Sequence, residues 1–246
     1  MTNRAVLIST AVAFAGFLGE ARADTLPFVP TLSIGTTTVT NDAVVANTDG
    51  SFTVSGQEQG GGTVASPVWD LQWDLTIKQD PFIVGSLTLT NLTSTTKNFA
   101  IAFNLPVIPA FTQSVFGGSV SATLIDTGSG AAQLGPNTAA SPAIYRGTID
   151  GIPMLWLLGA SLGCSGGAGC TASTVESDGL PGPTLPGPGV LANIGTLLNF
   201  SLSAGDKVTF LTNFTVEPVP LPAALPMLLL GLGSLGVARR RKKIVP

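Results

Sequence analysis

Between residues 69 and 78 the side chains change character at every step: Leu71, Trp73, Leu75 and Ile77 alternate with Gln72, Asp74, Thr76 and Lys78. A repeat of two puts one parity on each face of an extended chain, which is the mark of a half-buried strand and is incompatible with an amphipathic helix. The same alternation returns at Phe99, Ile101, Phe103 and Leu105, set against Asn98, Ala100, Ala102 and Asn104. It returns once more at Val208, Phe210, Phe214 and Val216, with Thr212 in the same parity. Shorter runs rich in Thr and Val cover 32–40, 51–55, 83–91, 119–125, 143–149 and 197–202, in keeping with β propensity. Turn formers punctuate them at Thr48-Asp49-Gly50, Gln79-Asp80-Pro81, Thr127-Gly128-Ser129-Gly130 and Ala204-Gly205-Asp206. No helical period is found between them. Many short strands with polar turns predict an all-β fold, an antiparallel β-sandwich or jelly roll with the apolar parity facing the opposite sheet.

One stretch breaks the pattern. Residues 159–189 are crowded with Gly, Ser and Pro, including Pro181-Gly182-Pro183 and Pro186-Gly187-Pro188-Gly189, and read as a long exposed loop. This stretch holds the two cysteines of the chain, Cys164 and Cys170. In an exported protein such a pair predicts a local disulfide that closes a hairpin tip rather than stapling the domain. A redox pair would more often be Cys-x-x-Cys at a helix start, which is missing here.

The two ends differ from the body. Arg4 is followed by an apolar run from Ala5 to Leu18 and by Gly-Glu-Ala21-Arg-Ala23. A positive start, a short apolar stretch and an Ala-x-Ala ending predict a signal helix over 1–23, read by the general secretion machinery and cut by signal peptidase after Ala23. The run is too short to favour a first transmembrane helix. At the other end, residues 221–238 are eighteen predominantly apolar residues followed by Arg239, Arg240, Arg241, Lys242 and Lys243. As a helix they would span ~27 Å, enough for a bilayer core. The five cations would stop transfer and remain cytoplasmic, leaving the body outside. Between the two ends stand four basic and thirteen acidic residues. That acidic balance argues against nucleic acid as a partner.

The tail carries a recognisable order. Glu217-Pro218 and Val219-Pro220-Leu221-Pro222-Ala223 come first, then the Gly-studded apolar run, then the basic cluster. The closely spaced prolines forbid helix before Ala223 and keep this signature extended. From Glu217 to Lys243 the tail, residues 217–246, resembles the PEP-CTERM sorting signal of Gram-negative bacteria in its Val-Pro-Leu-Pro-Ala form. Glu217-Pro218 matches part of the commoner Pro-Glu-Pro form, with Val216 standing where that form has its first proline. The resemblance implies recognition by an exosortase, a membrane cysteine protease. It also implies a transient stay in the inner membrane and release of the body to the cell surface or exopolysaccharide matrix. The segment from Trp69 to Val107 resembles, more loosely, the ectodomains that precede such tails, and carries no activity with it. A plain membrane anchor is the simpler alternative for the same residues.

Several short motifs invite a catalytic reading. Leu124-Ile125-Asp126-Thr127-Gly128-Ser129 resembles the active-site loop of aspartic proteases, yet those enzymes need two such aspartates, and no second Asp-Thr-Gly or Asp-Ser-Gly occurs. Gly163-Cys164-Ser165-Gly166-Gly167 resembles the nucleophile loop of trypsin-like proteases, with Cys in place of Asp. The chain has no histidine, so there is no imidazole base for a Ser-His-Asp mechanism and no imidazole metal ligand. Asp70 and Asp74 share one strand face ~13 Å apart, too far for a glycosidase pair. The expectation is therefore no enzyme, no cofactor and no metal.

The sequence thus predicts a signal peptide (1–23), a β-sandwich ectodomain (24–216) and a sorting tail (217–246). Two functions fit: a non-catalytic surface or matrix protein, or a glycan-binding, adhesive sandwich. Exposed aromatics would favour the second, with Trp69, Trp73, Tyr145 and Trp156 as candidate stacking platforms. Core packing is the alternative for each, most strongly for Trp73 and Trp156.

Overall fold

A computed structural model describes residues 29–219, with residues 80, 129 and 140 excepted. The expected signal helix, with Ala21 and Ala23, lies outside them, as do the expected transmembrane stretch and its basic cluster.

Sixteen strands follow one another: β1 (Thr31–Ile34), β2 (Thr37–Val39), β3 (Ala43–Ala46), β4 (Phe52–Gly60), β5 (Trp69–Lys78), β6 (Phe82–Asn91), β7 (Lys97–Pro106) and β8 (Phe111–Ile125) form the first half. β9 (Ala132–Pro136), β10 (Tyr145–Ile149), β11 (Ile152–Leu157), β12 (Leu162–Cys164), β13 (Thr171–Asp178), β14 (Leu185–Val190), β15 (Asn193–Leu202) and β16 (Lys207–Pro218) form the second. They build two eight-stranded sheets in which every pairing is antiparallel. The first sheet runs β11-β10-β15-β7-β1-β2, with β9 also on β15 and β12 on β9. The second runs β13-β8-β16-β6-β5-β4-β3, with β14 also on β8.

The alternation does what its period requires. Leu71, Trp73, Leu75 and Ile77 of β5 are buried, as are Phe99, Ile101, Phe103 and Leu105 of β7 and Val208, Phe210, Phe214 and Val216 of β16. The two inner faces meet through rings: Phe200 of the first sheet lies 5.1 Å from Phe210 of the second and 5.7 Å from Phe99 beside it. Tyr145 reaches across the core and donates its hydroxyl to the Asn213 carbonyl at 3.1 Å. Complete burial pushes the phenol well above its usual pKa, so it stays a neutral donor. Gly147 is required by the same contact zone, because a Cβ there would sit 2.4 Å from the Phe214 ring. Trp73 keeps its indole satisfied inside the core by donating to Asn41 Oδ1 at 3.0 Å.

The stretch 159–189 departs from the expected loop. It contains β12, β13 and β14. β13 and β14 lie one after the other along the fifteen-residue β8. β14 reads Leu-Pro-Gly-Pro-Gly-Val, and its prolines at 186 and 188 share one parity. An edge strand tolerates a missing N–H where that side faces water. Ser114 ties the edge by donating to the Pro188 carbonyl at 2.6 Å.

The disulfide also sits differently. Cys164 and Cys170 are bonded, as the sequence predicts. Cys164 ends β12 in the first sheet, however, and Cys170 precedes β13 in the second. The bridge therefore spans the crossover between sheets instead of closing a hairpin tip. Its surroundings reinforce the corner: Asp126 N donates to the Cys170 carbonyl at 2.9 Å and Gly169 N to the Asp126 carbonyl at 2.7 Å. Replacing both cysteines by serine lowers stability by about 2 kcal/mol on the loop-entropy estimate for so short a ring. Thermal melts with and without reductant measure this, and the reductant has no further effect on the double variant.

Candidate functional site

The tail leaves the body at the end of β16. That strand is paired along its length with β8, down to Glu217 opposite Val115 and Pro218 opposite Ser114. Val216 N donates to the Pro81 carbonyl at 2.9 Å, and Val219 N to the Gln113 carbonyl at 3.1 Å. The ladder thus reaches the first residue of the expected Val-Pro-Leu-Pro-Ala signature, and no linker separates core strand from signal. Val219 is 40% exposed at this border. Beside it a cleft of about 270 Å³ is lined by Pro81, Ile108, Pro109, Phe111 and Pro218. Pro220, Leu221, Pro222, Ala223 and the cations Arg239, Arg240, Arg241, Lys242 and Lys243 lie outside the described residues.

The catalytic look-alikes have other tasks in this geometry. Asp126 is 1% exposed, and its Oδ1 accepts Gly128 N at 3.0 Å, which closes the turn after β8. Thr127 N donates to Asp206 Oδ1 at 3.2 Å, and the Thr127 hydroxyl donates to the Gly205 carbonyl. Asp206, itself buried, accepts the Ser203 hydroxyl. These carboxylates pin two neighbouring turns together. Ser165 directly follows a cystine half. Asp70 and Asp74 share the outer face of β5. Asp70 accepts Gln59 Nε2 at 2.7 Å and Gln57 Nε2 at 3.1 Å, and Asp74 is exposed. Among the described residues no three His, Cys, Asp or Glu side chains gather into a metal-binding group.

The aromatic candidates divide sharply. Trp69, Trp73 and Tyr145 are core residues, 4%, 3% and 0% exposed. Trp156 is 49% exposed, against the expected core placement. Its neighbours Leu155 and Leu157 take the inward parity of β11, so the indole is turned to solvent. The apolar run Met154-Leu155-Trp156-Leu157-Leu158 hides this parity in the sequence.

Sequence reasoning also passed over Asp150. With Gly151 it forms the two-residue turn joining β10 to β11, at φ 49° and 77°. Asp-Gly with both φ positive is the pair a tight type I′ hairpin favours. The carboxylate then accepts three backbone donors, Leu191 N and Ala192 N at 2.8 Å and Asn193 N at 2.9 Å. Partial burial pushes its pKa up, but the three N–H donors outweigh burial and hold it below the ordinary carboxylate value. A depressed folded pKa stabilises above the unfolded pKa and is lost as pH falls through the folded one. Asp150→Asn is therefore less stable than wild type at neutral pH, and the gap closes below about pH 4. Paired denaturant titrations across that range check it.

Comparison with known families gives one finding. Residues 218–242 match the PEP-CTERM protein-sorting motif. The match begins at Pro218, the last residue of β16. Such a motif implies exosortase-dependent sorting of a membrane-anchored precursor to the cell surface. No curated protein matches the chain.

Proposed function

We propose that this chain is an exported, non-catalytic cell-surface or exopolysaccharide-matrix protein, delivered through its C-terminal tail by an exosortase. The observation that carries the reading is the sorting motif at 218–242, attached without a linker to the last core strand. In this reading signal peptidase removes residues 1–23, the cations Arg239–Lys243 hold the precursor in the inner membrane, and cleavage in the tail frees the sandwich. The burial of Asp126 and Asp206 in turn-closing hydrogen bonds supports a structural role for them over a catalytic one. Removing the exosortase from the host is the test. The protein then accumulates in the inner-membrane fraction and disappears from the surface fraction. Unchanged surface yield in the exosortase-free host contradicts the proposal.

A second reading, an adhesive module that holds glycan, is favoured by the solvent-facing Trp156.

A further inference from the structure

The outer face of the first sheet brings together residues that are far apart in sequence. Across β11, β10, β15 and β7 the register sets Trp156 beside Arg146, Arg146 beside Leu197 and Leu197 beside Ala102. This row points outward, since its strand neighbours Tyr145, Leu155, Leu157 and Leu198 are buried in the core. Directly opposed residues on adjacent strands hold their Cβ atoms ~5 Å apart, so ring and guanidinium stem stand side by side. The indole is half exposed. Arg146 Nε is buried with no hydrogen-bond partner among the described residues. That nitrogen is walled in, so an arriving carboxylate meets the terminal nitrogens of the guanidinium, which are not among the buried unpartnered atoms.

The carboxylates at the two ends of this hairpin are already engaged. Glu176 Oε2 accepts Leu158 N at 2.6 Å, and Asp150 accepts the three donors from Leu191 to Asn193. Arg146 is also the only arginine among the described residues, in a body whose acidic groups outnumber its basic ones. The net charge gives a polyanion no diffuse attraction, so an anion held at this row is held by local contact with the guanidinium fork.

We propose that Trp156 and Arg146 form a subsite for a carboxylated sugar of an acidic polysaccharide, a uronate unit. The indole takes the C–H face of the pyranose and the guanidinium takes the carboxylate. The proposal rests on the second reading above and narrows it to one ligand class.

The test titrates the full-length chain, in detergent micelles, with polygalacturonate and, separately, with dextran as the uncharged glycan. Polygalacturonate binds and changes the emission of the solvent-facing tryptophan, Trp69 and Trp73 being buried, and dextran does not. Arg146→Gln and Trp156→Ala each weaken binding by about tenfold or more, and Arg146→Lys recovers part of the loss. Melting temperatures, measured in parallel, stay at the wild-type value for Trp156→Ala, which separates lost binding from lost fold. Equal binding of dextran, abolished by Trp156→Ala, keeps the glycan reading and overturns the carboxylate assignment. Failure of both polymers to bind overturns the subsite and the glycan reading together. Polygalacturonate binding that survives both substitutions places the site elsewhere and also overturns the proposal.

Discussion

Replacing Phe210 by alanine lowers the unfolding free energy by about 4 kcal/mol. The ring is fully buried and sits between the sheets, 5.1 Å from Phe200, which itself stacks 5.7 Å from Phe99. Removing it loses the transfer free energy of a phenyl group and leaves a cavity that two paired sheets cannot collapse into without breaking ladder bonds. Leu211 provides the control. It is the next residue on the same strand and is 57% exposed. Leu211→Ala costs less than about 0.5 kcal/mol. Denaturant unfolding of both variants measures the contrast. Equal losses would mean that the parity of β16, and with it the packing of one sheet on the other, is wrong.

Substituting alanine for Pro220 and Pro222 blocks release of the body and leaves the full-length precursor in the membrane. Proline lacks an N–H and fixes φ, so it opposes continuation of a helix through its position. A processing protease needs an extended peptide, and alanine is the residue most favourable to helix. The structure adds a second constraint. Val219 is still bonded to Gln113 at 3.1 Å, so the signature starts within one residue of the sandwich. Immunoblots of membrane and surface fractions read the outcome as a shift from the shorter form to the longer. The melting temperature of the variant stays unchanged, because the last described core strand ends at Pro218.

The body was legible in the sequence wherever one face of a strand meets the core and the other meets water. β5, β7 and β16 have that arrangement, and their buried residues are the alternating ones the period singles out. Legibility failed where glycine and proline stand in for the alternating pattern. In β14 the prolines at 186 and 188 read as breakers, yet both are exposed on an edge strand, where a missing N–H is tolerated, and the strand survives. Trp156 was misplaced because Met154 to Leu158 is apolar in both parities, which leaves no contrast to orient the strand. The disulfide was legible as a bond, but its role depends on which sheet each cysteine joins, and six residues of separation carry no information about that. Asp150-Gly151 carried an ordinary hairpin signal. Its three-donor role depends on the distant segment 191–193, which only tertiary structure brings near. The tail was legible for a different reason: a sorting enzyme reads it as a linear string, so its information is sequential.

The most direct test of the account is the intact mass of the protein recovered from the surface of its native host. The expected chain begins after Ala23 and has lost its basic cluster and apolar run, with a new C-terminus inside 218–242. A surface protein that still ends at Pro246 would contradict it.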